Sequence, residues 1–177
     1  RKRTDKMLAA GFYDGPARPV EPDLRLKDMK TDGVDCEILY GITGSGKNLK
    51  NMEVVTEVYH VYNDWVDRFA SSMPGRWYGL ACLPIHDPKL AAEEVYRMTQ
   101  DHEYIRGADL MAGALTYPLY ARDGYWDELW KACAETNTPL SFHIGGGRVP
   151  ITQTPGLDDT LTFTGGAPGQ NEHAYQA

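Results

Sequence analysis

A histidine at the end of an apolar segment is the residue whose position most clearly predicts chemistry. His143 lies at the carboxyl end of the predicted strand 140–144, immediately before Ile144 and the glycines at 145–147. In parallel α/β folds, ligands and catalytic groups gather where strands end and loops begin, and glycine lets backbone approach a ligand closely. His143 is therefore a candidate metal ligand. A core histidine bonded to a neighbouring carbonyl group is the alternative, and one histidine does not make a zinc site.

A second motif is similar to part of a phosphate-binding loop. The segment Gly41–Lys47 (GITGSGK) follows a strand candidate and precedes a helix, and it fits the G-x-x-x-x-G-K pattern. The next residue is Asn48, where such a loop needs Ser or Thr to bind Mg²⁺. We favour an ordinary loop of an α/β fold here. A P-loop-like nucleotide-binding protein acting through Gly41–Lys47 remains the alternative function.

Composition limits the class of protein. The chain has 177 residues, 42% hydrophobic and 24% charged, which is typical of one globular unit. Its net charge of −7 argues against a nucleic-acid partner, because binding phosphates requires clustered Lys and Arg. No apolar run approaches the roughly 18 residues that cross a bilayer, so we expect no membrane partner and a cytoplasmic location. The separated cysteines Cys36, Cys82 and Cys133 are expected to be reduced core residues.

The elements that would position His143 alternate between helices and strands. Apolar runs predict strands over 34–40, 77–83, 105–110 and 140–144, and periodicity and caps predict helices over 23–31, 51–73, 88–100 and 125–136. The second helix carries one apolar face, formed by Val54, Val58, Val61, Trp65 and Phe69. Such a β-α repeat predicts a parallel sheet buried on both faces. The pattern alone fits a barrel and an open doubly wound sheet equally.

Six segments carry a resemblance to a known family. They are Asp23–Asp35, Tyr62–Trp65, Pro74–Arg76, Gly79–Pro84, Asp127–Ala134 and Pro139–Gly145. In order and with compatible spacing, they resemble amidohydrolase-related proteins of the aminocarboxymuconate-semialdehyde decarboxylase type. The resemblance implies a partial (β/α)8 TIM barrel, from about helix 1 through strand 5. We expect one incomplete barrel domain over 1–177, with a loop at 1–22, the barrel core at 23–147 and an irregular loop at 148–177.

The resemblance also implies a function. It predicts a metal-dependent carboxy-lyase or hydrolase that acts on a small, aromatic or unsaturated carboxylic acid, in a protein that can form a homo-oligomer. The histidine that His143 matches is a ligand of a divalent metal in this family, commonly zinc. The family's remaining ligands and acid/base residues would lie outside this chain, so its catalytic residues stay unknown and the isolated fragment is expected to be inactive. A non-catalytic domain derived from the barrel is a further alternative.

Overall fold

Helices and strands alternate along the chain as the sequence predicts. The structure is a computed structural model that describes residues 9, 18–43, 49, 51–111 and 123–143. After a 3-10 turn at Arg18–Val20, its elements are α1 Pro22–Asp32, β1 Glu37–Leu39, α2 Met52–Ser71, β2 Trp77–Cys82, α3 Pro88–Asp101, β3 Ile105–Met111, α4 Asp127–Thr136 and β4 Leu140–His143. Most of the predicted loop at 1–22, and all of the predicted loop at 148–177, lie outside the described residues.

The four strands form one parallel sheet in the order β1-β2-β3-β4. Leu39 pairs with Gly79, Cys82 with Asp109, and Met111 with His143. Although β1 and β4 are not neighbours in this order, the Ser141 hydroxyl donates a hydrogen bond of 2.9 Å to the hydroxyl of Tyr40, the residue after β1. The sheet therefore curls into half of a barrel, which confirms the predicted partial (β/α)8 fold.

The helices cover the convex face of this sheet. Side chains from β2 and β3 pack there against side chains from α2, α3 and α4, and the buried set includes Trp77, Ala81, Ala108, Leu110, Val66, Val95 and Leu129. At the amino-terminal end of the strands, Glu37 joins α1 to the sheet. Its carboxylate accepts hydrogen bonds from Arg25 at 2.6 Å and from the indole of Trp77 at 3.1 Å. The residues that alternate with these along each strand point to the concave face.

Local signals set the helix ends. The Asn51 side chain accepts hydrogen bonds from the backbone N–H groups of Glu53 and Val54, and the Asp87 side chain does the same at the start of α3. These contacts satisfy N–H groups that have no partner within the helix. Helix α1 ends at Gly33, whose φ of +71° is the left-handed conformation that glycine adopts without strain.

The face of α2 that packs on the sheet agrees only in part with the predicted one, because Phe69 is buried but most of the other predicted residues are not. Val61 is 65% exposed, Val54 is 44% exposed and Trp65 is 38% exposed. The buried residues of α2 are Val55, Thr56, Tyr59, Asn63, Val66, Phe69 and Ala70. The helix has apolar residues on two adjacent faces, so periodicity identified the helix but not the face that meets the sheet. The exposed apolar residues of α2, with Arg68 of the same helix and Ile42, line an open groove of about 690 Å³.

A buried asparagine joins α2 to the end of β2 and to α3. The carboxamide of Asn63 donates to the backbone oxygen of Cys82 at 3.0 Å and accepts from its N–H at 2.8 Å. The same nitrogen lies 2.6 Å from a carboxylate oxygen of Glu94, whose side chain is fully buried. Both polar groups are stable in the core because each has hydrogen-bond partners there.

Charged groups extend this contact to the surface. Arg97 donates to both oxygens of Glu94 at 2.8 Å and to Asp64 at 2.7 Å. A ring nitrogen of His60 lies 3.0 Å from Glu94, and one of His102 lies 2.9 Å from Asp64. The fully buried carboxylate of Glu94 thus has a permanent positive partner, without which its burial would be strongly unfavourable.

The cysteines follow the expectation only in part. Cys82 and Cys133 are buried free thiols, whereas Cys36 is exposed, so its prediction as a core residue is wrong. Cys36 lies just before β1, and the predicted strand 34–40 is shorter in the structure, at Glu37–Leu39. In the described part of the chain, no helix is long and apolar enough to cross a membrane.

Replacing Asn63 with Ala is expected to lower the free energy of unfolding by about 3 kcal/mol, because it leaves buried polar groups of Cys82 and Glu94 without a partner. Denaturant unfolding would measure this change. Gln100→Ala, at an exposed position of α3, is the control and should change stability by less than about 0.5 kcal/mol. Equal stability of Asn63→Ala and Gln100→Ala would show that the Asn63 contacts contribute little.

Asp64 is expected to make stability depend on acid pH. Burial raises the pKa of Asp64, but the hydrogen bonds from Arg97 and His102 outweigh burial, and the pKa lies below its ordinary value. A carboxyl group with a lowered folded-state pKa stabilises the fold above its unfolded pKa, and this contribution is lost as pH falls through the folded pKa. Below about pH 4, the stability of the wild type should therefore fall more steeply than that of Asp64→Asn. Thermal melting across this range, with Asp101→Asn as control, would measure it; parallel curves for wild type and Asp64→Asn would contradict it.

Candidate metal and substrate site

Strand pairing places three polar residues on the concave face near the carboxyl ends of the strands. Asp109 of β3 pairs with Ser141 of β4, and Met111 pairs with His143. Paired residues of neighbouring strands point to the same face, and so do residues two apart on one strand. Asp109, Ser141 and His143 therefore share one face. The side chains of Leu140 and Phe142 point the other way and pack against the core.

His143 is exposed at the end of β4. Its ring lies 6.4 Å, centroid to centroid, from the ring of Tyr40, which meets it edge to face across the curl of the sheet. Tyr40 also accepts the hydrogen bond from Ser141. The role of His143 as a metal ligand stays a prediction, and so does the alternative of a core histidine. The glycines at 145–147 that follow it lie outside the described residues.

Asp109 is a buried carboxylate that no motif or periodicity in the sequence singles out. It is 1% exposed, and its Oδ2 accepts one long hydrogen bond, 3.4 Å, from the hydroxyl of Thr43. Its Oδ1 is buried and has no hydrogen-bond partner among the described residues. Burial raises the pKa of Asp109, and the charge of His143 and the Thr43 hydrogen bond oppose this. The signal in the sequence was one acidic residue inside the apolar strand Ile105–Met111.

The loop after β1 is held against the end of β2. A Cβ atom added to Gly41 would lie 2.2 Å from the sulfur of Cys82, so only glycine fits there without displacing Cys82. Further along, the Tyr59 hydroxyl donates to the backbone oxygen of Thr43 at 2.6 Å. Burial raises the pKa of the Cys82 thiol to about 12, so this cysteine stays protonated and is not a nucleophile.

The remaining described histidines lie elsewhere. His60 and His102 bind carboxylates of the α2 and α3 network, on the helix side of the sheet. His86 follows β2 in a turn and is half-buried. His86 is a useful comparison for His143, because both lie at the carboxyl side of a strand of this sheet. His173 lies outside the described residues.

The donor atoms on the concave face suit a divalent cation. An imidazole nitrogen from His143 and a carboxylate oxygen from Asp109 are ligand types that zinc and manganese both accept. Among the described residues, Oδ1 of Asp109 has no hydrogen-bond partner, so this oxygen is available to a ligand on the concave face. Within the part of the chain that the structure describes, however, no three His, Cys, Asp or Glu side chains form a metal-binding group. The two residues can thus supply only part of a ligand set.

Comparison with known proteins gives a family match and similar solved structures. A family model described as amidohydrolase matches residues 6–168. No curated protein sequence matches the chain significantly. The similar solved structures include decarboxylases.

Three such structures represent the similarity. A 5-carboxyvanillate decarboxylase from Sphingomonas paucimobilis has a TM-score of 0.65 and 21% identity, over 92% of this chain and 49% of its own. A 5-carboxyvanillate decarboxylase from Novosphingobium aromaticivorans, solved with bound manganese and 3-methoxy-4-hydroxy-5-nitrobenzoic acid, has a TM-score of 0.63 and 21% identity, over 73% of this chain and 36% of its own. The 2,6-dihydroxybenzoate decarboxylase from Rhizobium has a TM-score of 0.59 and 23% identity, over 74% and 41%. These similarities support the fold, and this chain spans less than half of each structure.

Gly41–Lys47 is not expected to bind nucleotides. Gly41 packs against Cys82. A phosphate-binding loop requires a helix that begins directly after the lysine, whereas α2 begins at Met52. Residues 44–48 lie outside the described residues. Calorimetric titration with ATP, with and without Mg²⁺, should show no binding in the micromolar range. Mg²⁺-dependent binding that Lys47→Ala abolishes would contradict this prediction.

Proposed function

Because the chain belongs to the amidohydrolase family, we propose that the protein containing it is a metal-dependent carboxy-lyase or hydrolase acting on a small aromatic or unsaturated carboxylic acid. The observation that supports this most directly is the exposed His143 at the carboxyl end of β4, on the concave face of a half-barrel. Barrel enzymes bind their substrates at this end of the strands. The metal requirement and the substrate class are both part of the proposal.

His143 is proposed as one ligand of a divalent metal. Its imidazole is accessible, and the sequence around it resembles the segment that supplies a metal ligand in the family. The bound metal would polarise a substrate oxygen or activate water. Sequence resemblance favours zinc, whereas the structure from Novosphingobium aromaticivorans contains manganese. Both ions therefore belong in the experiments.

The substrate class is supported by the chain's own residues as well. Tyr40 and Ser141 place hydroxyl groups on the concave face, 2.9 Å from each other and beside His143. Hydroxyl groups can donate hydrogen bonds to a carboxylate or a phenol oxygen, and the ring of Tyr40 offers an apolar surface to an aromatic group. Such an arrangement can orient an aromatic acid beside a metal held by His143.

Replacing His143 with Ala in the full-length protein should weaken metal binding at least about 100-fold, since changes to groups that only support a ligand already cost 10–100-fold. Elemental analysis after dialysis and the melting temperature would be measured together. Decarboxylation and hydrolysis of aromatic acids would be assayed with Mn²⁺ and with Zn²⁺. Activity should fall with metal content, while the fold is retained.

His86→Ala provides the matched control, because it makes the same change beyond the carboxyl end of β2, another strand of the same sheet. It should retain metal and activity. If His143→Ala retains both but melts much earlier, His143 is a structural residue. If the wild type binds neither ion and turns over no acid, the non-catalytic alternative is correct instead.

A further inference from the structure

The carboxylate of Asp109 is buried, and no cationic side chain among the described residues forms an ion pair with it. Its carboxylate is 1% exposed, with one oxygen held by Thr43 and the other without a hydrogen bond among the described residues. Within that same part of the chain, no Lys, Arg or His lies within ion-pair distance of Asp109. A buried carboxylate in this condition is costly unless a cation or a proton accompanies it.

The geometry brings Asp109 close to the proposed metal ligand. Asp109 and His143 lie on adjacent strands and face the same side, two residues apart in register. Neighbouring strands lie about 4.8 Å apart and each residue advances about 3.3 Å, so their Cα atoms are separated by roughly 8 Å. Two side chains and metal bonds of about 2 Å at each end can span this distance.

We propose that Asp109 is an oxygen ligand of the divalent ion that His143 binds. This inference rests on the proposed function and adds to it a ligand from β3. Thr43 holds Oδ2, and the backbone oxygen of Thr43 is itself fixed by Tyr59. The partnerless Oδ1 is then the atom that meets the metal. Hydrogen bonds that orient a ligating carboxylate in this way are a regular feature of metal sites.

A cation fits Asp109 better than the substrate does. The proposed substrate is a carboxylic acid, and an anionic carboxylate would be repelled by the charge on Asp109. A divalent ion between the two would remove this repulsion and supply the missing positive partner. A carboxylate ligand beside an imidazole also suits manganese, which prefers oxygen donors.

The test measures metal affinity in the full-length protein. Metal is removed with a chelator, Mn²⁺ is titrated back by calorimetry, and the electron paramagnetic resonance spectrum of bound Mn²⁺ is recorded. Asp109→Asn keeps the size of the side chain and an acceptor for Thr43, and should weaken Mn²⁺ binding at least about tenfold and alter the spectrum. Asp109→Ala, which removes the buried carboxylate altogether, should do the same, and it serves if the Asn variant folds poorly.

Glu94→Gln is the matched control, because it converts another fully buried carboxylate to an amide, on the helix side of the sheet. It should lower the melting temperature and leave Mn²⁺ affinity unchanged. Wild-type affinity and spectrum in both Asp109 variants, with binding lost in His143→Ala, would overturn the role of Asp109 and leave the proposed function intact. Wild-type affinity in His143→Ala would instead overturn the proposed function.

Discussion

The carboxamide of Asn63 takes the place of a neighbouring strand at the end of β2. β1 ends opposite Gly79, so it offers no residue to pair with Cys82, and Asn63 hydrogen-bonds both backbone groups of that cysteine. Cys82 can then continue the ladder with β3, where its partner is Asp109. An amide from a helix on the convex face thus supports the end of β2, the strand with which Asp109 pairs. Because Asn63 also binds Glu94, the same side chain fixes α3 relative to the sheet.

Much of the fold follows from local signals in the sequence. Helix starts are marked by the capping side chains of Asn51 and Asp87, and the end of α1 is marked by the left-handed conformation of Gly33. Each of these features depends only on residues nearby in the sequence. The packed face of α2 does not follow in this way. Val54 and Val61 are apolar yet exposed, while the polar Asn63 is buried. Its burial is favourable only because Cys82 and Glu94 supply hydrogen bonds, and both are distant in sequence.

The same distinction holds for the candidate site. His143 can be selected from the sequence alone, because the features that mark it, one strand and the glycines that follow, are adjacent to it in the chain. Asp109 was missed because a single acidic residue in a strand has no meaning until the register places it beside Ser141 and His143. Tyr40 was missed for a related reason: it meets β4 only because the sheet curls. The charges on the helix side bind one another, whereas Asp109 keeps an oxygen atom without a partner among the described residues.

The contact between Gly41 and Cys82 restricts how this protein can vary among its homologues. A side chain at position 41 would overlap the sulfur of Cys82, which is completely buried in a closely packed interior. A larger residue at position 41 would therefore require a smaller one at position 82 in the same lineage. Because the ring of Tyr62 would also lie 3.0 Å from the added Cβ atom, a side chain fits at position 41 only in homologues in which Cys82 is replaced by glycine or alanine and the Tyr62 ring shifts by a few tenths of an ångström.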